Sequence, residues 1–196
     1  MHTACKQLEL WSHQSATKNL KLSVNVSAVQ LMEADFVEQV KSIIAAYEVD
    51  PYFLKFEITE AVAIGNINLA IEKMLLLKQQ LGIKLSIDDF GTGYSSLSQL
   101  KNLPIDELKI DRSFILNIAK NKTDEMVVKT IIDLGKNLNF DIVAEGVEYK
   151  EQYQVLKNHG CYKYQGYLFA KPLPVDDFDL HLLALQHPFD SLFDKQ

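Results

Sequence analysis

IKLSIDDFGTGYSS, residues 83–96, is the stretch that decides the fold. It starts with the alternation and β-branched content of a strand and ends in two neighbouring aspartates, Asp88 and Asp89. Adjacent strand residues point to opposite faces, so the two carboxylates can converge only if the chain turns there, and Gly91 and Gly93 allow such a turn. Taken alone, two aspartates before a glycine turn are typical of a helix cap or a solvated turn.

Five other runs share this pattern of an apolar strand with polar side chains at its C-terminal end. They are LKLSVNVS (20–27), LKFEITE (54–60), IDELKID (105–111), FDIVAEGVE (140–148) and YKYQGYLFA (162–170). Helical patterns separate most of them, including a stripe over 36–47, a stripe over 69–81 closed by Gly82, and a helix with Thr123 as its N-cap. Strands that alternate with helices predict a parallel sheet and an α/β fold.

The position of the polar residues distinguishes two α/β architectures. An open doubly wound sheet collects its ligand groups at one crevice, whereas a (β/α)8 barrel gathers the C-terminal ends of all strands around one mouth. Polar residues end every predicted strand, which favours a TIM-like (β/α)8 barrel. Such a barrel usually needs eight strands and about 250 residues. We therefore expect residues 1–196 to form one domain, a barrel that lacks its N-terminal strands, with no second domain.

Composition narrows the functional class. The chain is 47% hydrophobic, which is enough for one soluble domain with a sizeable core, and its formal net charge of -6 argues against binding a nucleic-acid polymer. No apolar run reaches the about 20 residues that cross a bilayer, so no membrane insertion is expected. Cys5 and Cys161 lie far apart, as reduced thiols of a cytoplasmic protein would.

The strand ends predict a metal site. Asn25, Glu57 and Glu145 occupy strand ends equivalent to that of Asp88 and Asp89. Carboxylate and amide oxygens without histidine or cysteine suit Mg²⁺ or Mn²⁺ better than zinc. Two such ions about 3.5–4 Å apart could clamp a phosphodiester. The five histidines fall outside the strand ends and are interpreted as surface residues, and FGTGYSS lacks the lysine of a P-loop, so no nucleotide cofactor is predicted.

Several of these polar residues have more than one interpretation. Lys109 is either an edge lysine that reaches water along its stem or an ammonium that offsets carboxylate charge and orients a water or a phosphate oxygen. Glu145 could be a metal ligand, a general base, or both. Glu148 could equally brace the following loop, and Gln165 is either a substrate contact or an ordinary turn residue.

The motifs NVSAVQL, FEITE, DDFGTGYSSLSQLKNLPIDELKIDRSFI, VAEGVE and YQGYLFAKPLP, in this order, closely resemble the EAL domain family of cyclic-di-GMP phosphodiesterases over about residues 4–180. The resemblance implies hydrolysis of cyclic di-GMP to linear pGpG with Mg²⁺ or Mn²⁺ in the bacterial cytoplasm. It implies these roles: metal ligands Asn25, Glu57, Asp88 and, for a second metal, Asp89; Lys109 beside the catalytic water; Glu145 as general base; Gln165 in the active site; and Glu60 anchoring the loop of Asp88. Asp111 and Glu148 join the residues expected to bind substrate or anchor loops.

One departure from the family pattern is that the E-A-L or E-x-L strand, whose glutamate is a metal ligand, is absent. We therefore expect impaired hydrolysis in this chain. The alternatives are an inactive cyclic-di-GMP receptor or protein-interaction module, and an unrelated metal-dependent barrel hydrolase. The resemblance also implies a homodimer through the loop Gly91–Ser96 and its neighbouring helix, with regulatory domains in the parent protein.

Overall fold

A computed structural model describes residues 1–60, 62, 66–93 and 97–184, apart from the side chains at 180, 183 and 184. The strands are β1 (Leu22–Val26), β2 (Leu54–Thr59), β3 (Lys84–Phe90), β4 (Glu107–Ile110), β5 (Asp141–Ala144) and β6 (Lys163–Tyr164). The helices are α1 (His2–Ser12), α2 (Ala28–Met32), α3 (Phe36–Ala46), α4 (Ile67–Leu81), α5 (Leu97–Leu100), α6 (Arg112–Ile115), α7 (Lys122–Asn137), α8 (Lys150–Asn158) and α9 (Val175–Ala184).

The sheet has the strand order of a barrel. All neighbouring strands pair in parallel, in the sequential order β1-β2-β3-β4-β5-β6. A doubly wound sheet reverses its order at a switch point, so this order excludes that alternative and confirms the TIM-like prediction. Within the described residues, β1 and β6 are the two edges of an open sheet, as expected for an incomplete barrel.

The first and last described helices meet. The Trp11 indole in α1 donates a hydrogen bond to Asp179 in α9 (3.2 Å), and its ring packs on Phe178 with 5.7 Å between centroids. Because α1 leads into β1 and α9 follows β6, this contact requires the sheet to curl. The curl gives the sheet an inner and an outer face.

Alternating residues divide each strand between these faces. In β2, Leu54, Phe56 and Ile58 are fully buried beneath the helices, whereas Lys55 and Glu57 point the other way. The buried side chains of β3 and β4 continue the same apolar layer, with Leu85, Ile87, Leu108 and Ile110. The apolar core therefore lies between sheet and helices, and charged groups are left for the inner face.

The predicted elements all form, but several predicted ends need correction. Strand β6 covers only Lys163–Tyr164 of the apolar run 162–170. Gly82 ends α4 in the left-handed conformation, as predicted. The predicted cap of α7 is wrong: the helix begins at Lys122, and the Asn121 side chain accepts a hydrogen bond from the Thr123 N–H. Strand β5 is shorter than its apolar run because Gly146 has a φ of +67° and turns the chain out of the sheet.

Cys5 and Cys161 are buried free thiols, in agreement with the prediction of reduced cysteines. Among the described residues, no helix combines the length and apolar character that crossing a membrane requires.

Asp106, the residue before β4, leads to a prediction about stability in acid. Its carboxylate contacts Lys84 at 2.9 Å and Lys78 at 3.0 Å and accepts a hydrogen bond from the Leu85 N–H. Burial by itself raises the pKa of Asp106, but these partners together outweigh burial and hold it below its ordinary value of 3.8. A lowered folded-state pKa contributes stability above the unfolded pKa, and that stability is lost as the pH falls through the folded pKa.

We expect Asp106→Asn to lower the free energy of unfolding at pH 7 by about 1–3 kcal/mol. Urea denaturation of both proteins from pH 7 to pH 3 checks this, and the difference should narrow below about pH 4. If the difference in unfolding free energy stayed constant from pH 7 to pH 3, the negative charge of Asp106 would not be the source of the stability.

Candidate metal and phosphodiester site

Strand register brings the predicted site residues onto the inner face. Asn25 in β1 pairs with Glu57 in β2, and Glu57 pairs with Ser86 in β3. Asp88 lies two residues beyond Ser86, and so on the same face at the C-terminal end of β3. Asn25 is exposed on its edge strand, whereas Glu57 and Asp88 are mostly buried.

Lys109 lies at the centre of this site. Its ammonium contacts Glu57 at 2.8 Å, Asp88 at 2.9 Å and Glu145 at 2.7 Å. The lysine side chain is only 4% exposed, which rules out the alternative of an edge lysine that reaches water. Because the partners come from β2, β3 and the end of β5, one cation ties three strand ends together.

The aspartate pair converges through a bulge in β3 itself. Ile87 pairs with Leu108 and Phe90 with Ile110, so β3 carries one residue more than β4 over this interval. Asp89 has a φ of +56°, in the left-handed region that aspartate tolerates better than most residues. The expectation that the glycines make this turn is therefore corrected, because the turn occurs one residue after Asp88, before the first glycine.

The electrostatics follow from burial and from this crowding of charge. Burial disfavours the charged form of Lys109, but its hydrogen bonds to three carboxylates outweigh burial and raise its pKa above the ordinary lysine value. Burial raises the pKa of Glu145, and the hydrogen bond from Lys109 offsets part of that rise. The pKa of Asp89 is raised, mainly by partial desolvation and to a smaller extent by the negative charges of Asp88 and Asp111. This holds although Asp89 is exposed.

The donor set fits a hard divalent cation. Carboxylate oxygens of Asp88, Asp89 and Glu145 lie within 4.8 Å of one another. All are hard oxygen donors, and the neighbouring carboxylates already surround one cationic group, the Lys109 ammonium. Asp88 and Asp89 are thus brought together as predicted, and Glu145 joins them as a possible ligand.

The remaining predicted residues lie around these strand ends. Glu60 accepts a hydrogen bond from the Gly91 N–H at 3.0 Å. Asp111 caps α6 by accepting a hydrogen bond from the Ser113 N–H. Glu148 pairs with Arg112 at 2.6 Å, and both line a cavity of about 410 Å³ together with Gln165.

Sequence reasoning missed some of these contacts. Neither Arg112 nor the inner-face pair Lys55–Glu107, in contact at 2.5 Å, was selected as functional. The available signal was the alternation within LKFE and ELKI, which places each charge on the same face as Glu57 or Lys109.

The histidine interpretation also needs correction. His159 is partly buried and contacts Glu125 at 2.9 Å. His181 lines the same cavity as Arg112, and its Nε2 is buried without a hydrogen-bond partner in the described part of the chain. Of the loop predicted to mediate dimerisation, residues 94–96 lie outside the described residues.

A curled parallel sheet with acidic groups at its C-terminal strand ends is the architecture of TIM-barrel-like domains. The chain belongs to the EAL domain family, whose model matches residues 1–172. The resemblance inferred from the motifs is thereby confirmed.

Individual relatives agree with this assignment. The chain is 41% identical over 175 residues to the bifunctional diguanylate cyclase/cyclic di-GMP phosphodiesterase MucR of Pseudomonas aeruginosa. The matched region covers 88% of this chain and 25% of MucR. The chain therefore spans about a quarter of the length of that relative.

Two solved structures share the fold. The EAL domain of Mycobacterium smegmatis DcpA is 38% identical with a TM-score of 0.89, covering 95% of this chain and 83% of that one. The manganese and cyclic-di-GMP complex of Klebsiella pneumoniae BlrP1 is 30% identical with a TM-score of 0.74, covering 87% of this chain and 42% of that one.

The central lysine generates a prediction about stability. Lys109→Met removes the cation and leaves three largely buried carboxylates facing one another. We expect the free energy of unfolding to fall by about 3–5 kcal/mol, since breaking a buried ion pair leaves uncompensated charge. Urea denaturation at pH 7 measures the loss.

Lys129→Met is the matched control, because Lys129 forms an exposed helical ion pair with Asp133. The control should change the free energy of unfolding far less than Lys109→Met does, because solvent screens an exposed pair. Equal losses of unfolding free energy in the two variants would show that the buried carboxylates do not depend on the Lys109 charge.

Proposed function

We propose that this chain is a metal-dependent cyclic-di-GMP phosphodiesterase domain that produces linear pGpG for second-messenger control in the bacterial cytoplasm. The observation that carries the proposal is the convergence of Glu57, Asp88 and Glu145 on Lys109 at the strand ends. Membership of the EAL family and the cyclic-di-GMP complex of BlrP1 support the choice of substrate.

Asn25, Glu57, Asp88 and Asp89 are the proposed ligands of two Mg²⁺ or Mn²⁺ ions. When bound, such ions supply Lewis-acid stabilisation of the charge that develops on the phosphodiester oxygens. The manganese and calcium complexes of BlrP1 support a divalent-cation site in this family.

The protein side chains handle water and protons. We assign Glu145 as the base that accepts a proton from the attacking water, since its raised pKa makes its carboxylate a better proton acceptor. Lys109 orients that water or a phosphate oxygen. The water oxygen bonds to phosphorus, the bond from phosphorus to the 3′ oxygen breaks, and the leaving oxygen takes up a proton from solvent.

Residues outside the ligand set complete the proposed site. Gln165 contacts substrate, while Glu60, Asp111 and Glu148 hold the loops that border it. We expect weak turnover, because the sequence contains no E-x-L glutamate to complete the ligand set.

The assay separates an enzyme from a receptor. The chain is incubated with cyclic di-GMP and Mn²⁺, and pGpG is quantified by chromatography; slow, Mn²⁺-dependent product is expected. Glu145→Gln should reduce the rate by at least about 100-fold, as loss of a general base does. Glu38→Gln, at an exposed glutamate of α3, should leave the rate unchanged.

Binding is measured in parallel with Ca²⁺ by calorimetry. Binding without any pGpG would favour the receptor alternative. Neither binding nor product would overturn the proposal, and turnover that is undiminished in the Glu145→Gln variant would overturn the role of Glu145.

We further propose a homodimer through the loop Gly91–Ser96 and α5, with regulatory domains in the parent protein. Leu97, the first residue of α5, is 65% exposed, which supports a contact surface there. Leu97→Glu should shift the chain from dimer to monomer in sedimentation velocity. Val29→Glu, at another exposed apolar residue, should not. A wild-type monomer at all concentrations would contradict this.

A further inference from the structure

A second ion pair lies below the Lys109 cluster on the inner face of the sheet. Lys55 in β2 contacts Glu107 in β4 at 2.5 Å. The Ser86 hydroxyl donates a hydrogen bond to the same Glu107 oxygen at 3.2 Å. Both charged side chains are largely buried, with 19% of Lys55 and 9% of Glu107 exposed. Such a pair is costly to desolvate, so its position calls for an explanation.

That position is directly beneath a proposed metal ligand. Lys55 precedes Glu57 by two residues on β2, so both side chains lie on one face. The Lys55 ammonium is 3.9 Å from Oε1 of Glu57, whereas Oε2 of Glu57 is bound by Lys109. Lys55 therefore has two carboxylates within reach and contacts Glu107 more closely.

Lys55 is the cation closest to Glu107 among the described residues. Lys163 lies 3.9 Å from the second oxygen of Glu107, but it is half-exposed and contacts Asp141 more closely, at 2.8 Å. Glu107 thus has one close cationic partner in the described part of the chain.

An unpaired ammonium beside Glu57 would act against a divalent cation in two ways. It would repel the cation, and it would occupy the oxygen that the cation needs. We propose that Glu107 is a positioning residue that binds Lys55 and keeps its charge away from Glu57, so that Glu57 can serve as a metal ligand. This inference rests on the proposed metal site, and it concerns residues outside the predicted ligand set.

The test is Mn²⁺ affinity, measured by calorimetry on the 196-residue chain. Glu107→Gln frees Lys55 and should weaken Mn²⁺ binding by about tenfold, the lower end of what residues supporting metal ligands contribute. The double variant K55M/E107Q removes both charges and should restore affinity to within about threefold of wild type. Lys55→Met alone should bind Mn²⁺ at least as tightly as wild type.

Asp106→Asn is the matched control. Asp106 is the neighbouring residue, also paired with lysines, but it contacts none of the proposed ligands. Its loss should lower stability without changing Mn²⁺ affinity. If Glu107 has a purely structural role, Glu107→Gln should behave like Asp106→Asn and lower stability without changing Mn²⁺ affinity. This result would overturn the proposal, and so would a loss of affinity that the double variant does not restore. Weaker Mn²⁺ binding by Lys55→Met would also overturn it, even if Glu107→Gln fails to fold.

A metal-free crystal structure of the Glu107→Gln variant keeps this inference separate from the proposed function. The Lys55 ammonium should move to about 3 Å from a Glu57 oxygen. If wild type binds no Mn²⁺, the proposed function fails. The crystal structure of the Glu107→Gln variant still shows whether the Lys55 ammonium moves to Glu57 when Glu107 loses its charge. A Lys55 that turns away from Glu57 would overturn the inference whatever the metal affinity of wild type.

Discussion

The rest of the site depends on one constraint, the concentration of negative charge around a single buried ammonium. Lys109 binds carboxylates from three strand ends, and without a cation these groups would repel one another in a region poor in water. A cluster of this kind is stable only with a fixed positive charge at its centre. The same arrangement prepares oxygen donors for a divalent ion, because the carboxylates are already gathered and largely desolvated.

The sheet separates this concentration of charge from the apolar core. Apolar side chains of alternating strand positions fill the space beneath the helices, so the fold has a continuous hydrophobic core independent of the inner face. The inner face can then carry charges in layers: Lys109 with its carboxylates at the mouth, and Lys55 with Glu107 below. Each layer pairs opposite charges from β2 and β4, two strands apart, as side chains can on the inside of a curled sheet.

Much of the fold could be predicted because its signals are local. Strand alternation, the glycine at the end of α4 and the polar residues at strand ends all act within a few residues of chain. The errors arose where a distant or finer contact decides the outcome. Asn121 competes with Thr123 for the cap of α7, and a bulge in β3, visible only through its pairing with β4, turns the aspartate pair before the glycines do.

The sequence by itself determined the parallel α/β class, the family and the candidate oxygen donors at the strand ends, because residue type and alternation do not depend on distant partners. Only the tertiary structure decided how those donors combine. It gave Lys109 three partners, brought Glu145 beside the aspartate pair and placed Lys55 between Glu57 and Glu107. The physical reason is that charge interactions fall off with distance, and distances between strands depend on register and curl, which no single strand encodes.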